Sequence, residues 1–283
     1  LEELSQSPPE SRERRRSGSS ELRYRCITRM TGEMGLDAQN YQCFTCNRPI
    51  GLMYGPFRVC GFDGAGYCLD CHRNDESIIP ARILFSWDLA PRKISRASKA
   101  FLEHVADRPL INLNATNSSL YDYVEDLLGV QVLRKQLSYL AGYLLTCKES
   151  VAEDLRKRLW PKEYLYNEIN LFSINDLVNV STGVLKKHLT SVIAYAIAHV
   201  LDCRLCSQKG FICAICNDKQ IIYPFQIKTT QRCDKCYSVF HIPCKRGKPC
   251  PQCLQREKYY NDRKNSNSLQ ADQLLNSLPM DDT

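Results

Sequence analysis

No stretch of the sequence approaches the roughly 20 consecutive apolar residues that a membrane-spanning helix requires. The sequence also lacks a glycine-rich phosphate-binding loop, a recognisable Ser/His/Asp set and paired carboxylates in a catalytic context. Residues 1–22 are polar and charged, without the apolar segment of a secretory signal. We therefore expect neither an integral membrane protein nor an enzyme.

The excess of basic residues is modest. The formal net charge is +7 over 283 residues, and 43% of the residues are hydrophobic, an ordinary share for a folded protein. Such a charge tolerates an acidic partner or an anionic surface but does not by itself indicate nucleic acid. We expect no nucleic-acid partner.

Cysteine, in contrast, is abundant and closely spaced. All but two of the sixteen cysteines fall, with two histidines, into two groups built on pairs separated by two residues. The candidate ligands are Cys43, Cys46, Cys60, Cys68, Cys71 and His72 in the first group, and Cys203, Cys206, Cys213, Cys216, Cys233, Cys236, His241, Cys244, Cys250 and Cys253 in the second. Two thiolates three positions apart on a tight turn can both reach one Zn²⁺ at about 2.3 Å. We predict about four structural zinc ions, because four ligands complete each tetrahedral site.

Other uses of these cysteines fit less well. A secreted disulfide scaffold favours a shorter chain with an apolar signal segment, and an H-x-x-C pair among C-x-x-C pairs favours zinc over an iron–sulfur cluster. Sites with four protein ligands leave no open position for a catalytic water. We therefore expect structural zinc in a reducing compartment, the cytosol or the nucleus.

The order of the last eight ligands predicts a cross-brace, in which alternate pairs share an ion. One ion would be held by Cys213, Cys216, His241 and Cys244, and the other by Cys233, Cys236, Cys250 and Cys253. Near the start, a third set would be Cys43, Cys46, Cys68 and Cys71. Interleaving of this kind lets a short segment fold without a large apolar core.

Four candidate ligands remain, and we predict that they share the fourth ion. This set, Cys60, His72, Cys203 and Cys206, would staple the early zinc region to the late one. In the alternative, Cys60 is a buried thiol, His72 is a hydrogen-bonded imidazole, and other residues complete the late pair. Cys147 is expected to be a small core residue. The histidines on predicted helices, expected to be satisfied or solvated, are His104, His188 and His199.

Apolar periodicity predicts a helical block between the two cysteine groups. Its segments are Ser118–Cys147 with a kink near Gly129, Glu149–Leu159, a helix capped by Ser173 with Asp176 at its third position, and Ser181–Asp202. In the first segment, the predicted apolar face is Tyr121, Val124, Leu128, Leu133, Leu137, Leu140, Ala141 and Leu144, with Arg134 off that face. Strands are predicted only at 221–223 and 225–227.

These observations predict an α-rich, zinc-stabilised domain. A helical core would be flanked by an N-terminal zinc knuckle region and a C-terminal cross-braced module of the RING, FYVE or PHD kind. The expected segments are a disordered linker (1–22), an N-terminal zinc-binding region (23–92), a helical core (93–202), a C-terminal zinc module (203–255) and a polar tail (256–283).

An ordered series of motifs over about residues 40–255 resembles the Rubicon homology domain. The motifs are Ile79-Pro80-Ala81-Arg82-Ile83, Trp87-Asp88, Pro109-Leu110 with Asn112, Ser119-Leu120-Tyr121, Phe172-Ser173-Ile174-Asn175-Asp176-Leu177, His199-Val200, Lys209-Gly210-Phe211-Ile212-Cys213, Pro224-Phe225 and Cys250-Pro251-Gln252-Cys253. Within that family, the sequence is most similar to the autophagy adaptors that carry pleckstrin-homology domains (family M), and less so to Rubicon and Pacer.

The resemblance implies a non-enzymatic effector module that binds the GTP-loaded form of the late-endosomal Rab GTPase. It further implies recruitment from the cytosol to late endosomes, lysosomes and autophagosomes, where such adaptors regulate vesicle fusion and maturation. Contacts with the autophagy and fusion machinery would be made by other domains of a full-length protein. We expect exposed apolar residues of the central helices to make the GTPase contact.

Two other functions remain open from the residues alone. A ubiquitin ligase of the RING kind is suggested by Ile215 and Pro251, although only five residues separate Cys244 from Cys250, and Leu254 stands where many ligases have an activating arginine. A phosphoinositide- or histone-reading zinc finger is the second. Its binding stretch would be Tyr237-Ser238-Val239-Phe240, which is mainly apolar rather than basic.

Overall fold

The computed structural model describes residues 20–275, with side chains for residues 20–263. The helices are α1 (20–28), α2 (Pro80–Ser86), α3 (Arg96–Val105), α4 (Leu113–Asn117), α5 (Leu120–Tyr123), α6 (Glu125–Leu144), α7 (Glu149–Leu159), α8 (Tyr164–Asn167), α9 (Ile174–Ser181), α10 (Val184–Asp202), α11 (Arg204–Ser207), α12 (Ile242–Lys245) and α13 (Pro251–Leu275). A 3-10 helix spans Leu36–Gln39. The predicted helix-rich fold is confirmed. Within the described residues, no helix has both the length and the apolar content needed to cross a bilayer.

The strands are short and form antiparallel pairs. They are β1 (Phe57–Val59), β2 (Gly66–Cys68), β3 (Asp75–Ser77), β4 (Arg92–Ile94), β5 (Ile111–Asn112), β6 (Leu171–Phe172), β7 (Thr230–Arg232) and β8 (Val239–His241). The pairs are β1 with β2, β3 with β4, β5 with β6, and β7 with β8. Two of these hairpins, β1–β2 and β7–β8, carry predicted zinc ligands.

The chain divides into two compact units, each built from two stretches of sequence. Unit 1 comprises Leu1–Arg134 and Leu159–Ser191, and unit 2 comprises Lys135–Arg158 and Val192–Thr283. The linear five-segment division expected from the sequence differs from this one, because each unit combines one group of cysteines with part of the helical region.

Several predicted helices are present in the structure with close to their predicted bounds. Helix α7 spans the predicted residues, and α10 begins three residues after the predicted start. The capping box of α9 is formed, since the Ser173 hydroxyl accepts from the Asp176 N–H and the Asp176 carboxylate accepts from the Ser173 N–H, each at 3.0 Å. These local signals determined the start of α9 correctly.

The first long helical segment was predicted with the wrong break. The chain leaves helical geometry at Val124, where φ is −115° and ψ is 96°, and α6 continues through Gly129. In the first half of α6 the apolar face differs from the predicted one, because Leu127 and Val130 are buried while Leu128 is exposed. In the second half it is confirmed, since the buried residues include Leu137, Leu140, Ala141 and Leu144.

Arg134 of unit 1 lies in the middle of that buried face. Its guanidinium donates to the carbonyl oxygens of Tyr164, Leu165 and Glu168 at 2.8 to 3.1 Å, and its Cζ lies 4.5 Å from the centroid of the Phe172 ring. These carbonyls lie in α8 and at its C-cap residue, Glu168. Those of Tyr164 and Glu168 also accept from the N–H groups of Glu168 and Leu171, each at 3.0 Å. Burial lowers the pKa of Arg134 to about 10, and the guanidinium thus joins α6 to the end of α8.

In unit 2, an aromatic cluster links α6 to the late cysteine segment. The ring of Tyr143 contacts that of Phe225 at 5.7 Å, and Tyr223 stacks on Phe225 at 5.0 Å. Gln136 donates to the Phe225 carbonyl oxygen at 2.9 Å, and the Tyr143 hydroxyl donates to that of Lys209 at 3.2 Å. The strands predicted at 221–223 and 225–227 are wrong, because this stretch makes one bridge, between Phe211 and Ile222, and then turns.

The two ends of the chain are described only in part. The linker predicted over 1–22 lies outside the described residues up to position 19, but 20–22 already belong to α1. That helix is held in unit 1 by its buried residues Cys26 and Ile27. The predicted polar tail is helical as far as Leu275, and residues 276–283 lie outside the described part.

Candidate metal centres

The first candidate centre, in unit 1, brings together Cys43, Cys46, Cys68 and Cys71 as predicted. A tight turn presents the first two thiols, since the Cys43 N–H donates to the Arg48 carbonyl and the Asn47 N–H donates to that of Cys43. The second pair follows from β2, which ends at Cys68, and from a turn in which the Cys71 N–H donates to the Cys68 carbonyl at 3.1 Å. The two turns place all four sulfurs within 4.8 Å of one another.

The distances between donor atoms match a tetrahedral zinc site. A tetrahedron with Zn–S bonds of about 2.3 Å has edges of about 3.8 Å, whereas a disulfide bond is about 2.05 Å long. The Sγ atoms of Cys46 and Cys68 lie 3.6 Å apart, and all sixteen cysteines are free thiols. The donor set and its spacing therefore fit a structural Zn²⁺.

Electrostatics within this cluster also favours a cation. Burial acts to raise the pKa of Cys68, but hydrogen bonds from the Cys71 N–H and neighbouring thiols lower it to about 7. Burial and the Cys68 thiol raise the pKa of Cys71 well above its usual value. Thiolates this close repel one another, so all four can ionise together only if a divalent cation balances their charge.

The two centres of the predicted cross-brace are formed in unit 2. One gathers Cys213, Cys216, His241 and Cys244, and the other gathers Cys233, Cys236, Cys250 and Cys253. In the first, the Nδ1 atom of His241 lies 3.4 Å from the Cys216 sulfur and 3.8 Å from the Cys244 sulfur. In the second, the Cys236–Cys250 and Cys233–Cys253 sulfur pairs are 3.4 and 3.7 Å apart. Both centres fit zinc by the same distance criterion.

The β7–β8 hairpin interleaves these two centres. Cys233 and Cys236 lie in its turn, while His241 ends β8, so one hairpin contributes ligands to both clusters. A small apolar cluster of Ile222, Val239 and Phe240 is buried between the ligands. This core is too small to stabilise the segment alone, so most of the folding free energy would come from metal binding.

Thiols within one cross-brace centre have divergent affinities for protons. Burial acts to raise the pKa of Cys236, but hydrogen bonding with the Ser238 side chain and backbone lowers it to about 6. Burial and the neighbouring thiols raise the pKa of Cys253 to about 12. As in unit 1, a divalent cation would relieve the mutual repulsion of the thiolates.

The predicted composition of the fourth centre is wrong. Cys203 and Cys206 lie with Cys147 and His199, not with Cys60 and His72. The Cys147 and Cys203 sulfurs are 3.8 Å apart, and the His199 Nε2 atom lies 3.6 Å from the Cys206 sulfur. All four residues belong to unit 2, so this candidate centre does not staple the early cysteine region to the late one.

Helix geometry explains the set that the sequence reasoning missed. His199 and Cys203 are four positions apart at the end of α10, and the Cys203 N–H donates to the His199 carbonyl at 2.9 Å. Residues at this spacing lie on one helix face. Cys147 follows the end of α6, whose Tyr143 is fixed by the aromatic cluster of unit 2. A search for histidine or cysteine at helical spacing, rather than for two-residue gaps alone, would have found His199.

Cys60 is buried among hydroxyl groups instead of metal ligands. Its turn has the backbone pattern of the ligand-bearing turns, because the Cys60 N–H donates to the Ala65 carbonyl and the Gly64 N–H to that of Cys60. Gly64 has a φ of 71°, as Asn47 has a φ of 59° at the matching position after Cys43. Where the turn after Cys43 carries a second cysteine, however, this turn carries Asp63.

Asp63 organises a buried hydrogen-bond network around that turn. Its carboxylate accepts from the hydroxyls of Ser98 and Tyr67, each at 2.7 Å. The Ser95 hydroxyl donates to that of Ser98 at 2.9 Å, and the Ser95 N–H donates to the Cys60 sulfur at 3.3 Å. These groups satisfy one another directly, so the cluster is complete without an ion.

His72, the other predicted ligand, has a buried ring. Its Nδ1 atom accepts from the Asn74 N–H at 3.3 Å, and its Nε2 atom has no hydrogen-bond partner among the described residues. Burial lowers the pKa of His72. The structure thus gives His72 a hydrogen-bonded position in unit 1, close to the alternative considered from the sequence.

Residues 58–258 match the family model of the Rubicon Homology Domain. The chain belongs to the Rubicon homology domain family. It is 47% identical over 232 residues to Pleckstrin homology domain-containing family M member 3 of Xenopus laevis, a match covering 82% of this chain and 31% of that protein. The human protein of the same name is also 47% identical over 232 residues, covering 82% of this chain and 30% of the relative.

The chain therefore spans about a third of the length of the curated relatives that it matches. The resemblance predicted from the motifs is confirmed. All three candidate centres of unit 2 lie inside the span matched by the family model, whereas Cys43 and Cys46 of the first centre precede it.

Proposed function

We propose that this Rubicon homology domain is a non-enzymatic effector module for the GTP-loaded late-endosomal Rab GTPase. Its four candidate metal centres have a structural role, each holding one zinc ion. Through the GTPase, the module is recruited from the cytosol to late endosomes, lysosomes and autophagosomes, where it regulates fusion and maturation. Membership of the family supports an adaptor role in autophagy and endosomal traffic. Other domains of a longer protein make the contacts with the fusion machinery.

The observation that carries this proposal is an exposed apolar surface of unit 1, which we term the α6 strip. It consists of Leu128 and Val132 on α6 and Val184 at the start of α10, which are 43%, 41% and 55% exposed. Leu128 and Val132 are four positions apart and so share one helix face. Large side chains on a helix surface have no role in the core of unit 1, and their exposure favours a protein contact.

Neighbouring charges complete the surface. The Lys186 ammonium of α10 lies 3.4 Å from the Asp126 carboxylate of α6, and a Cβ atom at Gly129 would lie 3.9 Å from that ammonium. The start of α10 therefore runs beside this part of α6. Apolar residues bordered by a solvent-exposed ion pair have the composition of a transient protein interface, with an apolar centre and a polar rim.

The opposite face of α6 holds the strip in a fixed orientation. Leu127 and Val130 are buried, and the Arg134 guanidinium is bonded to the three carbonyls at the end of α8. A surface that is already ordered loses little conformational entropy on binding. It can thus distinguish the two nucleotide states of a switch protein by its affinity for each.

Features of unit 2 favour this proposal over a ubiquitin ligase. Ile215, the residue that would dock a conjugating enzyme, packs against the small apolar cluster between the cross-brace ligands. The gap between Cys244 and Cys250 contains no docking helix, because α12 ends at Lys245, the first residue of that gap, and no helix spans 246–249. In the stretch considered for phosphoinositide or histone binding, Val239 and Phe240 are buried. Ile215, Val239 and Phe240 therefore contribute to the core of the zinc module rather than to a binding surface.

The direct test is the affinity of the chain for the late-endosomal Rab loaded with a GTP analogue or with GDP, measured by calorimetry. We expect the GTP form to bind at least about tenfold more tightly. The double variant Leu128→Ser/Val132→Ser should weaken binding by about tenfold or more, while Met53→Ser, a matched exposed apolar position of unit 1, should not. Equal affinities for the two nucleotide states would contradict the proposal.

A further inference from the structure

The two most exposed large apolar side chains among the described residues, Leu52 and Met53, are neighbours on one turn of unit 1. Leu52, Met53 and Tyr54 are 107%, 88% and 62% exposed, and they are consecutive. An exposure above 100% means that Leu52 protrudes further into solvent than it would in an extended peptide. Exposing three large apolar residues in sequence costs solvation free energy.

Backbone hydrogen bonds hold this turn in shape. The Gly51 and Gly55 N–H groups each donate to the other residue's carbonyl oxygen at 2.9 Å, and the Tyr54 N–H donates to the Gly51 carbonyl at 3.0 Å. Gly51 and Gly55 have φ angles of 119° and 134°, which side-chain-bearing residues rarely adopt. The chain closes at these glycines, and the three apolar side chains project from the resulting tip.

The base of the turn is attached to the first candidate metal centre. Ile50, next to Gly51, is buried, and its N–H donates to the Tyr41 carbonyl at 2.8 Å. Tyr41 in turn lies two residues before Cys43. The turn is therefore hydrogen-bonded, through Ile50, to the segment that carries the predicted zinc ligands Cys43 and Cys46.

Aromatic side chains surround the base. A Cβ atom at Gly51 would lie 3.3 Å from the Tyr41 ring, and both Tyr41 and Phe57 are exposed. With Tyr54, they place exposed aromatic rings around the base of an aliphatic tip. Tyrosine and tryptophan are favoured at the boundary between lipid headgroups and acyl chains.

The charges of this segment suit a lipid surface. Between Ala38 and Phe62, the only charged residues are Arg48 and Arg58, and Arg48 is paired with Asp70 at 2.6 Å. A zinc ion bound by four thiolates would carry a formal charge of −2 nearby, which offsets these arginines. We therefore expect apolar insertion to supply the affinity, with little dependence on anionic headgroups.

We propose that the Gly51–Gly55 turn inserts Leu52 and Met53 into the outer part of a lipid bilayer, as a peripheral anchor that does not depend on the GTPase. A bilayer accepts a convex apolar tip without a complementary shape, whereas a protein partner would need a matching pocket. One such tip gives weak, reversible binding. Together with a membrane-bound GTPase, it raises the effective affinity by linking two contacts.

The test is cosedimentation of the chain with vesicles of phosphatidylcholine, with and without phosphatidylserine, in the absence of GTPase. We expect binding to both, with little difference between the two compositions. The double variant Leu52→Ser/Met53→Ser should weaken binding by about tenfold or more. Leu128→Ser/Val132→Ser, the matched control on the α6 strip, should bind vesicles as the unchanged chain does.

Insertion can also be measured directly. In a Met53→Trp variant, the added indole should shift its emission to shorter wavelength with vesicles and be quenched by lipids brominated along the acyl chain. Three results would overturn the proposal: no vesicle binding, unchanged binding by Leu52→Ser/Met53→Ser, or no quenching of the added Trp. If that double variant instead loses GTPase affinity without any vesicle binding, the tip contacts a protein, and the membrane proposal is wrong.

Discussion

The thiol of Cys60 lies 3.5 Å from the hydroxyl of Ser98, in a cluster arranged like a metal centre but closed by hydrogen bonds. Asp63 occupies the position three residues after Cys60, and Ser95 the position three residues before Ser98. The two-residue gaps of the zinc-ligand pairs are therefore repeated here by Cys60-x-x-Asp63 and Ser95-x-x-Ser98. Along the chain, the order is Cys43/Cys46 of the first candidate centre, Cys60/Asp63, Cys68/Cys71 of the first centre, and then Ser95/Ser98. The two clusters therefore alternate as the two centres of a cross-brace do.

We expect Cys60→Ser to leave the zinc content unchanged and Cys71→Ser to remove one ion per chain. A serine can still accept the hydrogen bond from the Ser95 N–H, so the first substitution should cost about 1 kcal/mol of unfolding free energy. Loss of a metal ligand should cost several times more. Elemental analysis and thermal melts of the two purified variants make the comparison.

If Cys60→Ser lowered the zinc content, Cys60 would be a ligand after all. If Cys71→Ser retained its full complement of zinc, the first centre would need another donor set.

The hydrogen-bonded cluster can be converted into a zinc centre. In the triple variant Asp63→Cys/Ser95→Cys/Ser98→Cys, four sulfurs would surround the position now closed by hydrogen bonds, and zinc content should rise by about one ion per chain. Asp63→Cys alone offers only two thiols and serves as the control. Cobalt substitution should add a thiolate charge-transfer band for the triple variant, and an unchanged metal content in it would rule out the structural equivalence.

Substitution of His199 by alanine should release one zinc ion and destabilise unit 2. The physical reason is that structural zinc supplies folding free energy on the order of 10 kcal/mol, shared among its ligands. His188→Ala, an exposed position on the same helix, is the control and should change neither zinc content nor melting temperature. Zinc release on addition of a chromophoric chelator measures the effect, and equal zinc content in the two variants would remove His199 from the centre.

Replacing Arg134 by methionine should cost about 3 kcal/mol of unfolding free energy. Methionine keeps the apolar part of the side chain but removes the three hydrogen bonds that the guanidinium donates to carbonyls at the end of α8. Arg134→Lys should also destabilise, because an ammonium cannot reach all three with the planar geometry of a guanidinium.

Urea denaturation compares these variants with Lys135→Met, whose side chain is exposed one position further along α6. Equal stability of Arg134→Met and Lys135→Met would show that the buried guanidinium has no net stabilising effect.

Three of the four ligand sets could be predicted from the sequence. Each consists of pairs separated by two residues, and the turn that forms such a pair depends mainly on the residues between its two ligands. The fourth could not, since Cys147 lies far along the chain from its partners and His199 is spaced for a helix. The buried face in the first half of α6 was predicted incorrectly for a related reason. Periodicity indicates that a face exists, but the break at Val124 sets its phase, and tertiary contacts decide that Arg134 rather than Leu128 is buried. The composition of the sequence gives no indication that Leu52 and Met53 are exposed.

The separation of Cys147 from its partners affects the order in which the chain can fold on the ribosome. Cys203 follows it by 56 residues, so at about 5 to 20 residues per second the first thiol waits about 3 to 11 s for the second to be synthesised. Throughout that interval, the sulfur of Cys147 has none of the other members of its cluster beside it. This centre can therefore take up an ion only late in translation, after α1 to α10 have been synthesised.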